Sequence, residues 1–303
     1  MTGTAERVAQ LSPSQVSAVL SLAAAAAEAD RIAPLSEHGM LRVQHGTPDQ
    51  GHDVVITAAD GTLAGYAYLD PPTPGDPEQA GELVVHPAWR RQGLGAALAA
   101  ALITAADRQP VRVWAHGDLP AAAALARSAG FERFRALWQL RRPLTDPLPA
   151  AQVPPDVRLR TFRPGQDEEQ WLRLNGRAFA KHPEQGSWTS RDLELREQEP
   201  WFDPDGFFIA EDSGNGDMLG FHWTKVHPDG VGEVYVVGID PDAQGRGLGR
   251  SLTLAGLHYL RQRGLGEVML YADEDNTAAI SMYRKLGFVP SRTDAMYRRP
   301  AGD

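Results

Sequence analysis

The chain repeats one arrangement of motifs, and this duplication limits the folds that it can adopt. Residues 86–95 (HPAWRRQGLG) match residues 240–249 (DPDAQGRGLG) at an offset of 154, and both segments end in Gly-Leu-Gly. Residues 114–131 match residues 271–288 without a gap at an offset of 157, and both segments close on Gly-Phe. Two matches in the same order and at nearly the same offset predict two copies of one ancestral domain.

A proline-rich segment separates the two copies. Residues 143–156 (PLTDPLPAAQVPPD) hold five prolines in 14 positions, and proline fixes φ and removes a backbone donor. We therefore predict an extended linker and assign residues 1–145 to the first domain and residues 146–303 to the second. A length of 303 residues also suits two domains of ordinary size.

The two copies predict the same order of elements. The second copy has a strand, a glycine-rich turn, a helix, a strand and a helix, at residues 231–239, 244–249, 250–264, 267–272 and 276–287. The first copy repeats this order from residue 81 to residue 130. A β-α-β unit of this kind pairs its two strands in parallel, so the predicted fold class is α/β with a mixed sheet.

The glycine-rich turn between strand and helix predicts a phosphate-binding site. Neither copy contains the dinucleotide fingerprint GxGxxG or the Walker pattern GxxxxGK[ST]. The glycines that remain let a backbone approach a pyrophosphate, and the N–H groups at the helix start then point at it. Neighbouring arginines add positive charge, namely Arg90, Arg91, Arg246 and Arg250. A single turn of this type also fits a plain strand–helix connection, but its duplication favours a ligand.

The second copy resembles the acetyl-CoA motif of the GNAT N-acetyltransferases in QGRGLG (244–249) and YADEDNTAAISMYRKLGF (271–288). The resemblance extends to the first copy, and it implies two tandem GNAT domains with acetyl-CoA as the acyl donor and no metal. In the first copy the implied acetyl-CoA contacts are Leu83, Val84, Val85, Arg91, Gln92, Gly93, Leu94, Gly95 and Ala96. In the second copy they are Val237, Gly238, Ile239, Gln244, Gly245, Arg246, Gly247, Leu248, Gly249, Arg250, Asn276, Thr277, Ala278, Ala279, Ile280 and Ser281.

Four longer segments resemble the mycothiol synthase family of actinobacterial tandem-GNAT proteins: HPEQGSWT (182–189), DPDGF (203–207), LGFHWTKVHPD (219–229) and GEVYVVGIDP (232–241). This resemblance implies that the acceptor is the cysteinyl amine of Cys-GlcN-inositol. The expected acceptor contacts are Glu37, Glu184, Lys225, Glu233 and Tyr271. Each of these side chains, taken alone, also fits a solvated surface group. Glu37 is expected to reach the site across the domain junction.

Only the second copy carries ionisable groups where acyl transfer needs them. The reaction requires removal of an ammonium proton and a proton for the departing thiolate. Tyr283 is expected to be the general acid, and its counterpart in the first copy is Ala126. Glu233 is expected to be the general base through a water molecule, and its counterpart at the offset of 154 is Gln79. We therefore predict that the first domain binds CoA without turnover.

A glycine within the last strand before the second turn predicts the oxyanion site. Gly238 interrupts an otherwise β-branched run, and an interior strand glycine often marks a bulge. Backbone N–H groups at residues 237–239 are then expected to bind the acyl oxygen.

The composition of the chain excludes several other kinds of site and function. The chain has no cysteine, which excludes disulfides, Cys-ligated zinc and a cysteinyl acyl-enzyme. Its net charge of −9 argues against binding to nucleic acid or to an anionic membrane. No apolar run approaches the roughly 18 residues of a membrane span. We expect a cytoplasmic monomer whose partner is a small amino-sugar and inositol substrate.

The sequence leaves three alternatives open. A histidine, either His182, His222 or His227, competes with Glu233 for the role of general base. A peptide or protein N terminus would serve as acceptor with the same CoA site. A CoA-binding sensor without catalysis would suit the first copy alone.

Overall fold

The computed structural model describes residues 4–46, 51–72, 78–107, 109–180, 182 and 185–302. Within these residues the helices are α1 Pro13–Asp30, α2 Glu37–His45, α3 Leu94–Ala105, α4 Pro120–Ser128, α5 Glu168–Ala178, α6 Ser190–Glu197, α7 Leu248–Gln262 and α8 Thr277–Lys285. The strands are β1 Glu6–Val8, β2 His52–Thr57, β3 Leu63–Leu69, β4 Gln79–Val85, β5 Val111–Ala115, β6 Glu132–Pro143, β7 Val157–Thr161, β8 Phe207–Asp212, β9 Met218–Val226, β10 Gly232–Ile239, β11 Glu267–Asp273 and β12 Val289–Arg299.

The chain forms two compact units whose limits differ from the predicted division at 145/146. The first unit comprises Met1–Leu137 together with Arg292–Asp303, and the second comprises Trp138–Ser291. The difference arises because the end of β12 pairs antiparallel with β5, from Ala295↔Ala115 to Arg299↔Val111. A division drawn from the sequence repeat could not foresee this return of the chain to its first unit.

The first unit is a mixed sheet with helices on both faces. Its strands follow the order β1-β2-β3-β4-β5-β12, and β4 and β5 are parallel. Leu98 and Leu102 of α3 pack with Ile56, while Val19 of α1 packs with Tyr66 on the other side. Every residue of β3 is buried, which explains why this strand reads as a continuous apolar run rather than an alternating one.

The second unit repeats this architecture with the order β6-β11-β10-β9-β8-β7, in which β10 and β11 are parallel. Leu257 of α7 belongs to a core that contains Val268, whereas Trp171 of α5 packs with a cluster of aromatic side chains that includes Trp223. The predicted linker has no helix or strand between β6 and β7. It is nevertheless anchored to α7, because His258 Nε2 donates to the carbonyl oxygen of Pro149 at 2.8 Å.

The predicted elements of the second copy are confirmed. The predicted helix at 250–264 is α7, and the predicted helix at 276–287 is α8. Asn276 caps α8 as predicted, since its side chain accepts from the N–H of Ala279 at 3.1 Å. Gly287 follows the helix with a φ of 87°, which is the left-handed conformation expected after a C-cap. None of the described helices is both long and apolar enough to cross a bilayer.

Candidate active site

The parallel strands of the second unit separate at their carboxyl ends. The register between β10 and β11 runs from Gly232↔Val268 to Val234↔Leu270. The antiparallel register between β10 and β9 continues further, to Ile239↔Gly220. The backbone of residues 236–239 therefore borders a gap beside β11 on the side that faces away from β9. Such a gap places N–H donors where the carbonyl of a bound ligand can accept from them.

The bulge in β10 lies at Tyr235, so the predicted bulge at Gly238 is wrong. The register with β9 shifts between Val234 and Val236, whereas Gly238 pairs regularly with Phe221. A Cβ at position 238 would lie 2.5 Å from Cε1 of Phe221, so glycine is required there by close packing against that ring.

The glycine-rich turn leads directly into α7. Gly245 and Gly247 have φ values of 79° and 78°, which L side chains rarely adopt. Gly247 is the N-cap of α7, and no side chain caps the first turn of this helix. An uncapped N terminus presents N–H donors and the positive end of the helix dipole, which suits a pyrophosphate. Arg246 is already paired, since its Nη2 lies 2.6 Å from Oδ2 of Asp156.

Glu233 lies on β10 just before the gap and is held by a histidine. Glu233 is buried, with 7% of its surface exposed, and its Oε2 lies 2.7 Å from Nε2 of His227. Lys225 is directly opposite Glu233 in the β9–β10 register. The sequence suggested His227 only as a rival base. In the structure His227 instead contacts Glu233, because a short hairpin at residues 227–231 brings the ends of β9 and β10 together.

The other two candidate histidines differ in environment. His222 is fully buried, and its Nδ1 lies 2.8 Å from the carbonyl oxygen of Leu252. Burial lowers the pKa of His222 to about 4, so this side chain is neutral and structural. His182 is partly exposed, and its Nε2 lies 3.7 Å from Oδ2 of Asp273.

Tyr283 lies on α8 with its ring in the core. The ring packs edge-on against Phe288 with the centroids 5.7 Å apart, and the residue is 8% exposed. Burial raises the pKa of Tyr283 to about 12. The hydroxyl therefore stays protonated near neutral pH and can donate a proton but cannot accept one.

Aromatic rings surround Lys225 on the same sheet. Its Nζ lies 4.3 Å from the ring centroid of Trp201 and 5.2 Å from that of Tyr235. The Tyr235 hydroxyl in turn accepts from Arg196 Nε at 2.9 Å. These cation–π contacts hold the position of the ammonium group. The sequence did not identify Trp201, since its position depends on the packing of the loop after α6.

The remaining predicted acceptor contacts are found in different places. Tyr271 is half-buried on β11, where its hydroxyl accepts from Nε2 of Gln139 at 2.8 Å. Glu37 is the first residue of α2 in the first unit. Glu184 lies outside the described residues.

The turn of the first unit has the same backbone form. The β4–β5 register ends at Gly81↔Val113, and α3 follows Gly93, whose φ is 83°. Arg91 has a φ of 63°, at the position where the second turn has Gly245. A non-glycine residue in this region stores backbone strain, a feature that clusters at functional sites. Arg90 is committed elsewhere, since both Nη atoms lie 2.7 Å from the carboxylate of Asp30.

A cavity of ≈ 560 Å³ lies beside this first turn. Its lining contains every predicted acetyl-CoA contact of the first copy except Gln92. In the second unit a cavity of ≈ 440 Å³ lies against α8 and Trp138. Of the predicted acetyl-CoA contacts, its lining contains Thr277, Ile280 and Ser281 but no residue of the glycine-rich turn. Among the described residues, no group of three or more acidic or histidine side chains is placed to hold a metal ion.

Comparison with known proteins matches both units. A model of the acetyltransferase (GNAT) family matches residues 22–131 and again residues 169–288. The chain belongs to the GNAT acetyltransferase family. The two predicted GNAT domains are thereby confirmed, and the protein is an acetyl-CoA-dependent N-acetyltransferase.

Curated relatives of this GNAT protein match over nearly its full length. A mycothiol acetyltransferase of Thermobispora bispora is 57% identical over 293 residues, which cover 95% of this chain and 97% of the relative. A mycothiol acetyltransferase of Thermomonospora curvata is 56% identical over 291 residues, which cover 96% of this chain and 95% of the relative.

Solved structures agree on the tandem fold. A GCN5-related N-acetyltransferase from Sphaerobacter thermophilus has a TM-score of 0.70 at 26% identity and covers 99% of this chain and 97% of its own. A tandem GNAT protein from the clavulanic acid biosynthesis pathway has a TM-score of 0.73 at 23% identity and covers 99% of both chains. At that identity the second likeness supports the fold alone.

The bulge changes which residue of the first GNAT domain corresponds to Glu233. In the first domain, Ala80 of β4 pairs with Arg112 of β5, one residue before the parallel register ends. In the second domain, Glu233 of β10 pairs with Met269 of β11 at the same point, one residue before that register ends. The counterpart is therefore Ala80 rather than Gln79, because Tyr235 adds one residue to β10. Neither side chain ionises, so the first domain lacks a carboxylate at this position.

A buried ion network lies at the carboxyl ends of β4 and β5 in the first GNAT domain. His116 Nε2 lies 2.8 Å from Oε1 of Glu82, and its Nδ1 lies 3.1 Å from Oδ2 of Asp294. Glu82 also accepts from the Tyr68 hydroxyl at 2.9 Å and from the N–H of Ser36 at 3.0 Å. Burial opposes the imidazolium charge, but the hydrogen bonds with Asp294 and Glu82 outweigh it and raise the pKa of His116 to about 10.

Replacing His116 with Gln is expected to destabilise the protein by about 1–3 kcal/mol near neutral pH, because two buried carboxylates lose their cation. The pKa of His116 rises from 6.5 to about 10 on folding, so its contribution is complete below pH 6.5 and is lost as the pH rises through 10. Thermal unfolding midpoints of wild type and His116→Gln should therefore converge toward about pH 10. The exposed His45, replaced by Gln, is the control, and a gap that stays constant with pH would contradict the assignment.

Proposed function

We propose that the second domain transfers the acetyl group of acetyl-CoA to the cysteinyl amine of Cys-GlcN-inositol, forming mycothiol. The observation that carries the choice of acceptor is the 57% identity, across 95% of the chain, to a relative named mycothiol acetyltransferase. The polar character of the site supports it, since Glu233 and Lys225 lie opposite each other on neighbouring strands. A carboxylate suits an ammonium group, and a lysine suits hydroxyl oxygens of a sugar or inositol ring.

Glu233 acts as general base in this proposal. The acceptor amine is protonated near neutral pH and must lose a proton before it attacks the thioester carbonyl. Glu233 takes that proton through a water molecule. The hydrogen bond at 2.7 Å from His227 orients the carboxylate toward the site, so His227 is a positioning residue.

The attack forms a C–N bond and places negative charge on the carbonyl oxygen, which the backbone N–H groups of residues 236–239, beside the gap between β10 and β11, stabilise. When the C–S bond breaks, the sulfur of CoA leaves as a thiolate, and the Tyr283 hydroxyl supplies its proton. The attacking nitrogen, which is still positively charged after the C–N bond has formed, loses its second proton through water, and this proton restores the Tyr283 hydroxyl. Because burial raises the pKa of Tyr283 to about 12, its hydroxyl carries a proton near neutral pH.

A direct assay separates this acceptor from its main rival. The full-length protein is incubated with acetyl-CoA and either Cys-GlcN-inositol or peptides with Cys, Ser or Ala at the N terminus. Acetylated products are quantified by mass spectrometry, because the cysteinyl acceptor has a thiol that would react with reagents for free CoA. We expect acetylation of Cys-GlcN-inositol and none of GlcN-inositol, which lacks the amine of cysteine. Peptide acetylation at a comparable kcat/KM would contradict the proposal.

A matched pair of glycine substitutions tests which domain turns over. Gly93 and Gly247 each have a positive φ, and a Cβ at either position would meet no atom within 4 Å. Alanine therefore imposes only backbone strain at both, of about 1–2 kcal/mol. We expect Gly247→Ala to raise KM for acetyl-CoA about tenfold or more. Gly93→Ala should lower the number of CoA molecules bound per chain and leave most of kcat intact. Loss of turnover in a folded Gly93→Ala protein would contradict a non-catalytic first domain.

A further inference from the structure

The cavity of the first GNAT domain extends beyond the turn that is proposed to hold CoA. The lining of this cavity of ≈ 560 Å³ includes the glycine-rich turn, Ala126 of α4, Phe131, Ile32 and Pro34. Most of the lining side chains outside the turn are apolar, although His116 and Ser128 also line the cavity. The cavity therefore offers an apolar chamber next to a phosphate-binding turn, which is the form expected of a site for an amphipathic ligand.

The first domain has an alanine where the second domain has a buried aromatic ring. Tyr283 fills the corresponding place in the second domain, where it is 8% exposed and packs on Phe288. The repeat aligns Tyr283 with Ala126 and Phe288 with Phe131, and both of these first-domain residues line the cavity. The proposed function places the Tyr283 hydroxyl at the departing sulfur atom. The open space at Ala126 therefore lies where the thioester end of CoA would be.

The first domain has no carboxylate available as a base for an acceptor amine at this position. Glu82, the carboxylate nearest this end of β4, is 1% exposed and accepts from Ser36, Tyr68 and His116. The position that corresponds to Glu233 is Ala80. No side chain in this network is available to take a proton from an amine, so a thioester held there is retained rather than consumed.

We propose that the first domain is a binding site for an acyl-CoA whose apolar acyl chain is longer than acetyl, with the chain lying in the space beside Ala126. This inference rests on the proposed function for the assignment of CoA to the turn. It goes further by naming the acyl chain that the first domain selects. Burial of additional methylene groups in an apolar chamber supplies the selectivity.

Isothermal titration of the full-length protein with acetyl-CoA and hexanoyl-CoA tests the proposal without an acceptor. We expect one site per chain to bind hexanoyl-CoA at least about tenfold more tightly than acetyl-CoA. Ala126→Tyr, which restores the ring of the second domain, should abolish that advantage. The control Arg127→Tyr places the same residue on the exposed side of α4, outside the cavity lining, and should retain it.

Two results would overturn the inference: equal affinity for the two acyl-CoAs, or an advantage for hexanoyl-CoA that survives in Ala126→Tyr. If Ala126→Tyr does not fold, Ala126→Val fills part of the same space and must reduce the advantage by a smaller factor. Absence of acetyl-CoA binding at both turns would instead contradict the proposed function on which the inference depends. Failure of the chain-length preference alone leaves acetyl transfer by the second domain standing.

Discussion

Replacing Glu233 with Gln is expected to lower kcat for acetyl transfer by about 10²–10⁴-fold, the range typical of a lost general base. Glutamine retains the size of the side chain and a hydrogen bond to His227, but it cannot take a proton from the ammonium group of the acceptor. KM for acetyl-CoA should change little, because the substitution does not alter the glycine-rich turn that is proposed to bind CoA. Initial rates at saturating acceptor, followed by mass spectrometry, measure the effect. The residual rate should rise with pH as more acceptor amine is already unprotonated.

The matched control is Glu267→Gln. Glu267 is also a strand carboxylate of the second unit, but it pairs with Arg141 at 2.5 Å and lies at the start of β11. Its replacement should leave kcat near the wild-type value. A tenfold loss of kcat corresponds to an increase of roughly 1.4 kcal/mol in the activation free energy. If Glu233→Gln retains more than about a tenth of wild-type kcat, Glu233 is not the general base.

Replacing Tyr283 with Phe is expected to lower kcat about a hundredfold or more while the protein stays folded. Phenylalanine keeps the ring that packs on Phe288, so the loss isolates the hydroxyl. An acetyl thioester of an acidic thiol provides a second readout, since its leaving group needs no proton and the variant should lose much less rate on it. Because burial raises the pKa of Tyr283 to about 12, the wild-type rate should not decline at moderately alkaline pH through loss of this proton.

Tyr259→Phe is a suitable control for this experiment. Burial raises the pKa of Tyr259 to about 12 as well, but its hydroxyl donates to Asp203. We expect near-normal turnover from it. Equal losses for Tyr283→Phe on acetyl-CoA and on the activated thioester would show that the hydroxyl does not protonate the leaving group.

The elements that build the site follow from local sequence. Gly247 and Gly287 need positive φ, Asn276 is a good N-cap, and the β-branched run before the second turn has few alternatives to a strand. The parallel pairing then follows from the strand–helix–strand order. These features depend on residues close together in the chain, which is why sequence patterns could predict them.

Features that depend on register or on distant residues were not predictable. The bulge at Tyr235 requires knowledge of how β10 pairs with β9, and a glycine three residues later gave the wrong position. The contact between His227 and Glu233 depends on the exact length of the hairpin. His116 meets Asp294 across 178 positions of sequence, so no local pattern connects them.

The return of residues 292–303 to the first unit affects how the protein is made. During synthesis, β5 leaves the ribosome well before the strand that will cover it, so its edge stays open while the entire second unit is produced. An uncovered strand edge invites pairing with other chains. Nascent chains stalled after residue 145 should therefore aggregate or recruit chaperones, whereas the finished chain supplies the strand that covers β5.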